Sequence, residues 1–163
     1  MGDYRLYCFG YTYRIFSNVK GEKHMTDKKL FYILSWTWGL PMTIIGAIVT
    51  GILMIFGKKP KRWGPCIYTE IGKNWGGLEL GMFFLTSKPS YSSTKDHELG
   101  HAIQNCYWGP LMPFVISIPS AIRYWYRRIR LMLGYPNAAS YYDVWFELQA
   151  STWGCRANYD WKI

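Results

Sequence analysis

The stretch Ser93-Thr94-Lys95-Asp96-His97-Glu98-Leu99-Gly100-His101 decides how this chain is read. Ser93 followed three residues later by Asp96 has the form of a capping box, so a helix is expected to begin here. Gly109-Pro110 ends it, near Cys106 or Trp108. The H-E-x-x-H pattern therefore falls in the first turns of a helix. Positions i and i+4 share one helix face, so His97 and His101 can converge on one metal ion. The chain has three His, and five Glu can be counted in it; a chance match is a roughly one-in-several-hundred event. Glu98 is turned about 100° from His97. It suits a proton-transfer role better than ligation: zinc makes a water acidic, and Glu98 takes its proton and returns it to the leaving amine.

A catalytic zinc needs a third protein ligand and one open position. His24 lies ahead of the apolar segment and fits poorly, which leaves Asp143, Glu147 and Asp160 downstream. Glu147 is the expected ligand, because it lies within the helical spacing of Tyr141–Asn158. Asp143, one turn earlier on the same face, is expected to orient a ligand. Gln104, three residues past His101, is expected to hydrogen-bond within the site or to the hydrophobic segment beyond it, without a catalytic role.

Outward from this centre, Cys66–Ile71 and Leu78–Thr86 read as two strands flanking a turn-rich Gly72–Gly77. Residues 108–122 are uncharged but broken by Pro110, Pro113 and Pro119, the pattern of a hydrophobic re-entrant or interfacial hairpin. Further upstream, Leu30–Gly57 runs 28 residues without a charge. As one helix it would measure about 42 Å, more than the ~30 Å of a hydrocarbon core. It is read as a transmembrane helix, with tilt or a kink at Pro41 absorbing the excess. Ala47 and Gly51 have the spacing that admits a close helix neighbour. The basic run Lys58-Lys59-Pro60-Lys61-Arg62 argues against a cleaved signal segment and places the rest of the chain on the cytoplasmic side of a cell membrane. Residues 1–24 differ in character and read as an extension ahead of a natural start at Met25.

Composition agrees with a membrane-associated protein. Half of the 163 residues are hydrophobic and 19 % are aromatic, with nine Trp and fourteen Tyr. The net charge of +9 would suit a nucleic-acid binder, but the basic residues sit beside apolar runs and not in a nucleic-acid module. A lipid bilayer with anionic headgroups is the expected partner, and nucleic acid is not. Cys8, Cys66, Cys106 and Cys155 form no C-x-x-C pair and read as reduced, mostly buried thiols.

The segment Glu147-Leu148-Gln149-Ala150-Ser151, fifty residues after His97, resembles the second zinc helix of the gluzincin metallopeptidases, whose membrane members include the CAAX-type endopeptidases. Trp75–Gly154 also resembles small bacterial membrane proteins with a Gly-Gly-x-x-x-Gly strand, H-E-x-G-H-x-x-Q and Gly-Pro-Leu. The resemblance covers about half the chain. It implies one zinc ion held by His97, His101 and Glu147, and a peptide or small protein as substrate. By the same resemblance Leu78–Thr86, with Leu78, Leu80, Gly81 and Phe83, would be the edge strand that pairs with substrate. It reads equally well as an ordinary core strand. Ser151 stands where these peptidases carry an Asp that supports a ligating His.

The expected fold is mainly α with a small β-hairpin or edge sheet. It combines a transmembrane anchor (25–57) with a zinc-site domain (58–163) built from an H-E-x-x-H helix, a re-entrant hairpin and a Glu-bearing helix. The expected activity is that of a membrane-anchored zinc endopeptidase. A zinc-stabilised, non-catalytic membrane regulator is the alternative, and Glu98 favours the enzyme because a purely structural site does not need it.

Overall fold

The computed structural model describes Met25, residues 27–135, residues 144–161 and Ile163. The expected extension at 1–24 and the expected orienting residue Asp143 lie outside them. The described chain is mainly helical, with one small mixed sheet.

The apolar run at the start is two helices. α1 spans Lys28–Ser35, capped by the Asp27 carboxylate, which accepts from the Lys29 N–H at 2.8 Å; α2 spans Leu40–Ile55. They meet at 83°, and no single helix among the described residues is long and apolar enough to cross a membrane, although the bent pair qualifies by length and composition. Pro41 therefore opens a new helix, where its missing N–H costs nothing, and does not kink one long helix. The corner is held from outside, where Asn105 Nδ2 donates to Gly39 O at 3.2 Å and Trp38 Nε1 to Tyr107 O at 3.3 Å, and from within, where Thr43 Oγ1 donates to Ser35 O at 2.9 Å. Gly51, expected to admit a second helix, faces open space.

The sheet has four strands: β1 Lys61–Trp63, β2 Cys66–Lys73, β3 Gly77–Leu80 and β4 Phe83–Lys88, in the order β1-β2-β4-β3. The stretch expected as one strand, Leu78–Thr86, is thus a tight hairpin. Gly81 sits at φ +70 beside the Thr43 backbone, and this left-handed turn residue lets the chain reverse over Gly81-Met82. β4 then returns between its predecessors, parallel to β2 (Ile67 opposite Phe83) and antiparallel to β3 (Leu78 opposite Leu85). The turn-rich Gly72–Gly77 consequently does not join paired neighbours. Leu78 and Leu80 lie on an edge strand, whereas Phe83 lies on an interior one.

α3, Ser92–Trp108, runs through the middle of the molecule and ends at Gly109, as the sequence implied. Its start differs: Tyr91 takes the N-cap position with no side-chain cap, and Ser93 lies inside the first turn. Asp96 instead accepts from Trp63 Nε1 (3.0 Å) and Asn158 Nδ2 (2.9 Å), tying the helix to β1 and to the last helix. The expected re-entrant hairpin is helical throughout. A short 3₁₀ turn (Gly109–Leu111) and a π turn (Pro113–Ser117) lead into α4, Ile118–Met132. Each of Pro110, Pro113 and Pro119 falls in the first positions of one of these segments, the places a helix tolerates proline. α5, Trp145–Trp161, crosses α3 closely. A Cβ on Gly100 would meet Ala150 O and one on Gly154 would meet Asp96 O, so bare backbone at both positions permits the approach. Phe84, Leu99, Ala102, Ile103, Trp153 and Ala157 form the core between the sheet, α3 and α5. Cys66 and Cys106 are buried free thiols, and Cys155 is half-buried.

Candidate metal centre

The α3–α5 crossing sets the site. His97 and His101 lie one turn apart on α3, and Glu147, in the first turn of α5, is fully buried against them. His97 Nε2 lies 3.1 Å from His101 Nε2 and 3.0 Å from Glu147 Oε2, and the His101 Nε2–Glu147 Oε2 separation is 3.5 Å. Ligand atoms about 2.0–2.1 Å from a tetrahedral zinc stand about 3.3 Å apart, so the triangle has the dimensions of such a site.

The hydrogen bonds behind the rings give the triangle its chemical character. Gln104 Oε1 lies 2.7 Å from His101 Nδ1, and as an amide oxygen it only accepts, so Nδ1 carries the proton. The Gln104 amide nitrogen donates to Phe146 O (2.8 Å) and Gln149 Oε1 (2.9 Å), which fixes its orientation. His97 Nδ1 lies 2.8 Å from Ser151 Oγ. In neutral His101 the Nε2 lone pair therefore faces inward. With the Ser151 hydroxyl accepting from His97, the two imidazole lone pairs and one carboxylate oxygen point at the same place. Ser120 donates to the other Glu147 oxygen, Oε1.

Electrostatics reinforce this. Burial disfavours a charged His101, yet Glu147, Glu98 and Glu79 raise it to about 9. In the ion-free protein a proton thus supplies positive charge that a divalent cation would supply in its place. His97 is lowered, by burial first. Glu147 would be raised by burial, but its bonds to His101 and His97 hold it well below the usual carboxylate range. Glu98 is pushed up to about 7 by burial, with Glu147 adding to the shift and His101 opposing it.

Glu98 is not part of the triangle. Its carboxyl packs on Gly77, where an added Cβ would fall 2.6 Å from Cδ, so the bare backbone of β3 makes its berth. Together with His97 and His101 it lines a cleft of about 360 Å³, walled by β3 on one side and by Ser120 and Tyr124 of α4 on another. Sequence reasoning singled out His97, Glu98, His101 and Glu147, and the fold brings all four together. Ser151 reaches His97, as its position suggested.

Neither the buried Glu79 nor the half-buried Ser120 was expected from the sequence. Glu79 on β3 accepts from the Gly81 N–H through Oε1, and Oε2 has no hydrogen-bond partner among the described residues. Burial raises its carboxyl to about 8. Ser120 carried no sequence signal, because only the tertiary fold lays α4 against α5. The Gln104 contact was legible, since i and i+3 share a helix face.

Comparison with protein families, with curated proteins and with solved structures yields no match for this chain.

Proposed function

We propose that the chain is a membrane-anchored, zinc-dependent endopeptidase with His97, His101 and Glu147 as ligands and Glu98 as general base. The observation that carries this reading is the convergence of three lone-pair donors, at tetrahedral spacing, beside a separate buried carboxyl in an open cleft. A structural zinc site is normally closed by a fourth protein ligand. Among the described residues three ligating groups converge here, and the remaining side of the triangle meets the cleft.

Zinc held there by His97, His101 and Glu147 would polarise a carbonyl and lower the pKa of a water. The chain's own groups do the rest. Glu98, near 7, is matched to accept a proton at neutral pH and to return it to a leaving amine. Gln104 and Ser151 hold the imidazoles in the ligating tautomer. Among the described residues β3 pairs only with β4, and Gly77, Leu78 and Glu79 line the cleft. Its other edge therefore suits an extended peptide, bound as an added strand. Anchoring is assigned to the α1–α2 pair. α2 exposes Ile44, Ile48, Ile52 and Ile55, and its 16 residues reach about 24 Å, short of a full span, which favours a broken membrane segment. The basic run after α2 supports a cytoplasmic orientation of the cleft.

The test is the metal content of detergent-purified protein by plasma mass spectrometry, followed by a peptide-library screen. About one zinc per chain, with cleavage lost on chelation and restored by zinc, is the expected result. Zinc without cleavage would select the non-catalytic, zinc-stabilised membrane protein. No zinc after reconstitution would refute both.

A further inference from the structure

α4 is a helix whose sequence demands a partner that the described fold does not provide. At 100° per residue, Ile118, Ile122, Trp125, Ile129 and Met132 gather within about 80° on one side. They are between 48 % and 79 % exposed, and no residue of α4 is buried. Arg123, Arg127 and Arg130 take the opposite side and Arg128 a flank. In a helix that packs on its own core, the apolar stripe is the buried one; here it faces outward. At 15 residues, or about 22 Å, and with four arginines, α4 does not cross a bilayer. Its aromatic residues Tyr124, Trp125 and Tyr126 are of the kind that collects at the headgroup level.

We infer that α4 lies in the plane of an anionic lipid surface, with the Ile118–Ile122–Trp125–Ile129–Met132 face immersed and its arginines at the headgroups. Arginine pairs with lipid phosphate, and a helix with one apolar side and a polar side rich in arginine has the make-up of a helix lying in the interface of an anionic bilayer. The consequence concerns the cleft. Ser117, Ser120, Ala121, Tyr124 and Trp125 of this segment form one wall of it, and Ser120 holds Glu147. The cleft therefore opens at the bilayer surface, and the substrate class is a peptide segment lying at or emerging from that surface. This last step rests on the peptidase reading; the placement of α4 does not.

The test uses the full chain reconstituted in vesicles of phosphatidylcholine, alone or mixed with phosphatidylglycerol. Cys8 and Cys155 are replaced by Ser, and an environment-sensitive fluorophore is attached at Ile129→Cys or, separately, at Arg128→Cys. Both positions are exposed, so neither change disturbs the core. The expected result in the anionic vesicles is a blue-shifted emission at 129, quenched by spin labels deep in the acyl chains and not by iodide. At 128 the effective quencher is a shallow spin label. Iodide quenching at 129 equal to that of the unfolded chain would overturn the inference. So would equal immersion in both lipids, or self-quenching that rises with protein-to-lipid ratio, which would mean a second copy covers the face. Immersion of 129 in a protein that binds no zinc would leave α4 at the membrane and remove the peptidase. Zinc and cleavage without immersion would do the reverse.

Discussion

At the level of single residues, the proposed function assigns some groups of the centre to hold a metal, others to orient the ligands and Glu98 to react. His101→Ala and Glu147→Ala each remove a corner of a triangle whose sides are 3.0–3.5 Å, and both are expected to lose zinc by metal analysis. Glu98→Gln is expected to keep zinc and fold while hydrolysis falls about 10²–10⁴-fold, because an amide cannot accept the proton. An unchanged cleavage rate in that variant would remove Glu98 from the mechanism. Gln104→Leu leaves His101 Nδ1 without its acceptor, and zinc affinity is expected to drop about 10–100-fold in a competition titration with a chromophoric chelator. Glu79 supplies one part of the pH dependence of stability. Its folded-state value near 8 lies above the ordinary 4.5, so its neutral form stabilises the fold fully below about 4.5. As pH rises the unfolded chain ionises first, and this contribution is lost up to about pH 8. In the zinc-free protein Glu79→Gln should therefore flatten the decline of stability between those values in denaturant titrations.

Between elements, the decisive contact is the α3–α5 crossing. Gly100 sits inside the H-E-x-x-H motif, yet its task is to let Ala150 O come against bare backbone and so bring Glu147 within reach of two imidazoles. Gly100→Ala inserts a methyl group where there is no room, at a cost of about 1–3 kcal/mol, and pushes the Glu147 ligand outward. Gly51→Ala, inside α2 with nothing near the new methyl, is the control and should stabilise its helix by about 0.5–1 kcal/mol. Thermal melts with and without zinc check both: the Gly100 variant should lose most of the zinc-induced rise in Tm, and the Gly51 variant should keep it. The corner between α1 and α2 shows the same dependence on neighbours. Pro41 alone is compatible with a kinked span. Asn105 and Trp38, reaching across to and from α3, favour a break of 83° because it satisfies Gly39 O and Tyr107 O.

For the molecule as a whole, the sequence by itself determined the parts that obey short-range rules. The i, i+4 spacing of His97 and His101 guarantees a shared helix face, Gly109-Pro110 guarantees an end to α3, and Glu147 inside a helical period could be nominated as the third ligand. Uncharged Leu30–Gly57 announced an apolar surface. Only the tertiary structure decided what depends on contacts distant in the chain. It split the expected strand into a hairpin at Gly81, because Thr43 packs against that turn. It moved Asp96 from capping its own helix to binding Trp63 and Asn158, because a buried carboxyl must find donors wherever the fold presents them. It placed Ser120 on Glu147, left the apolar face of α4 outside the core, and gave Glu98 a berth on Gly77. Periodicity specifies which side of an element is apolar, but not which element will come to meet it, and both the cleft and the exposed apolar face of α4 depend on that second choice.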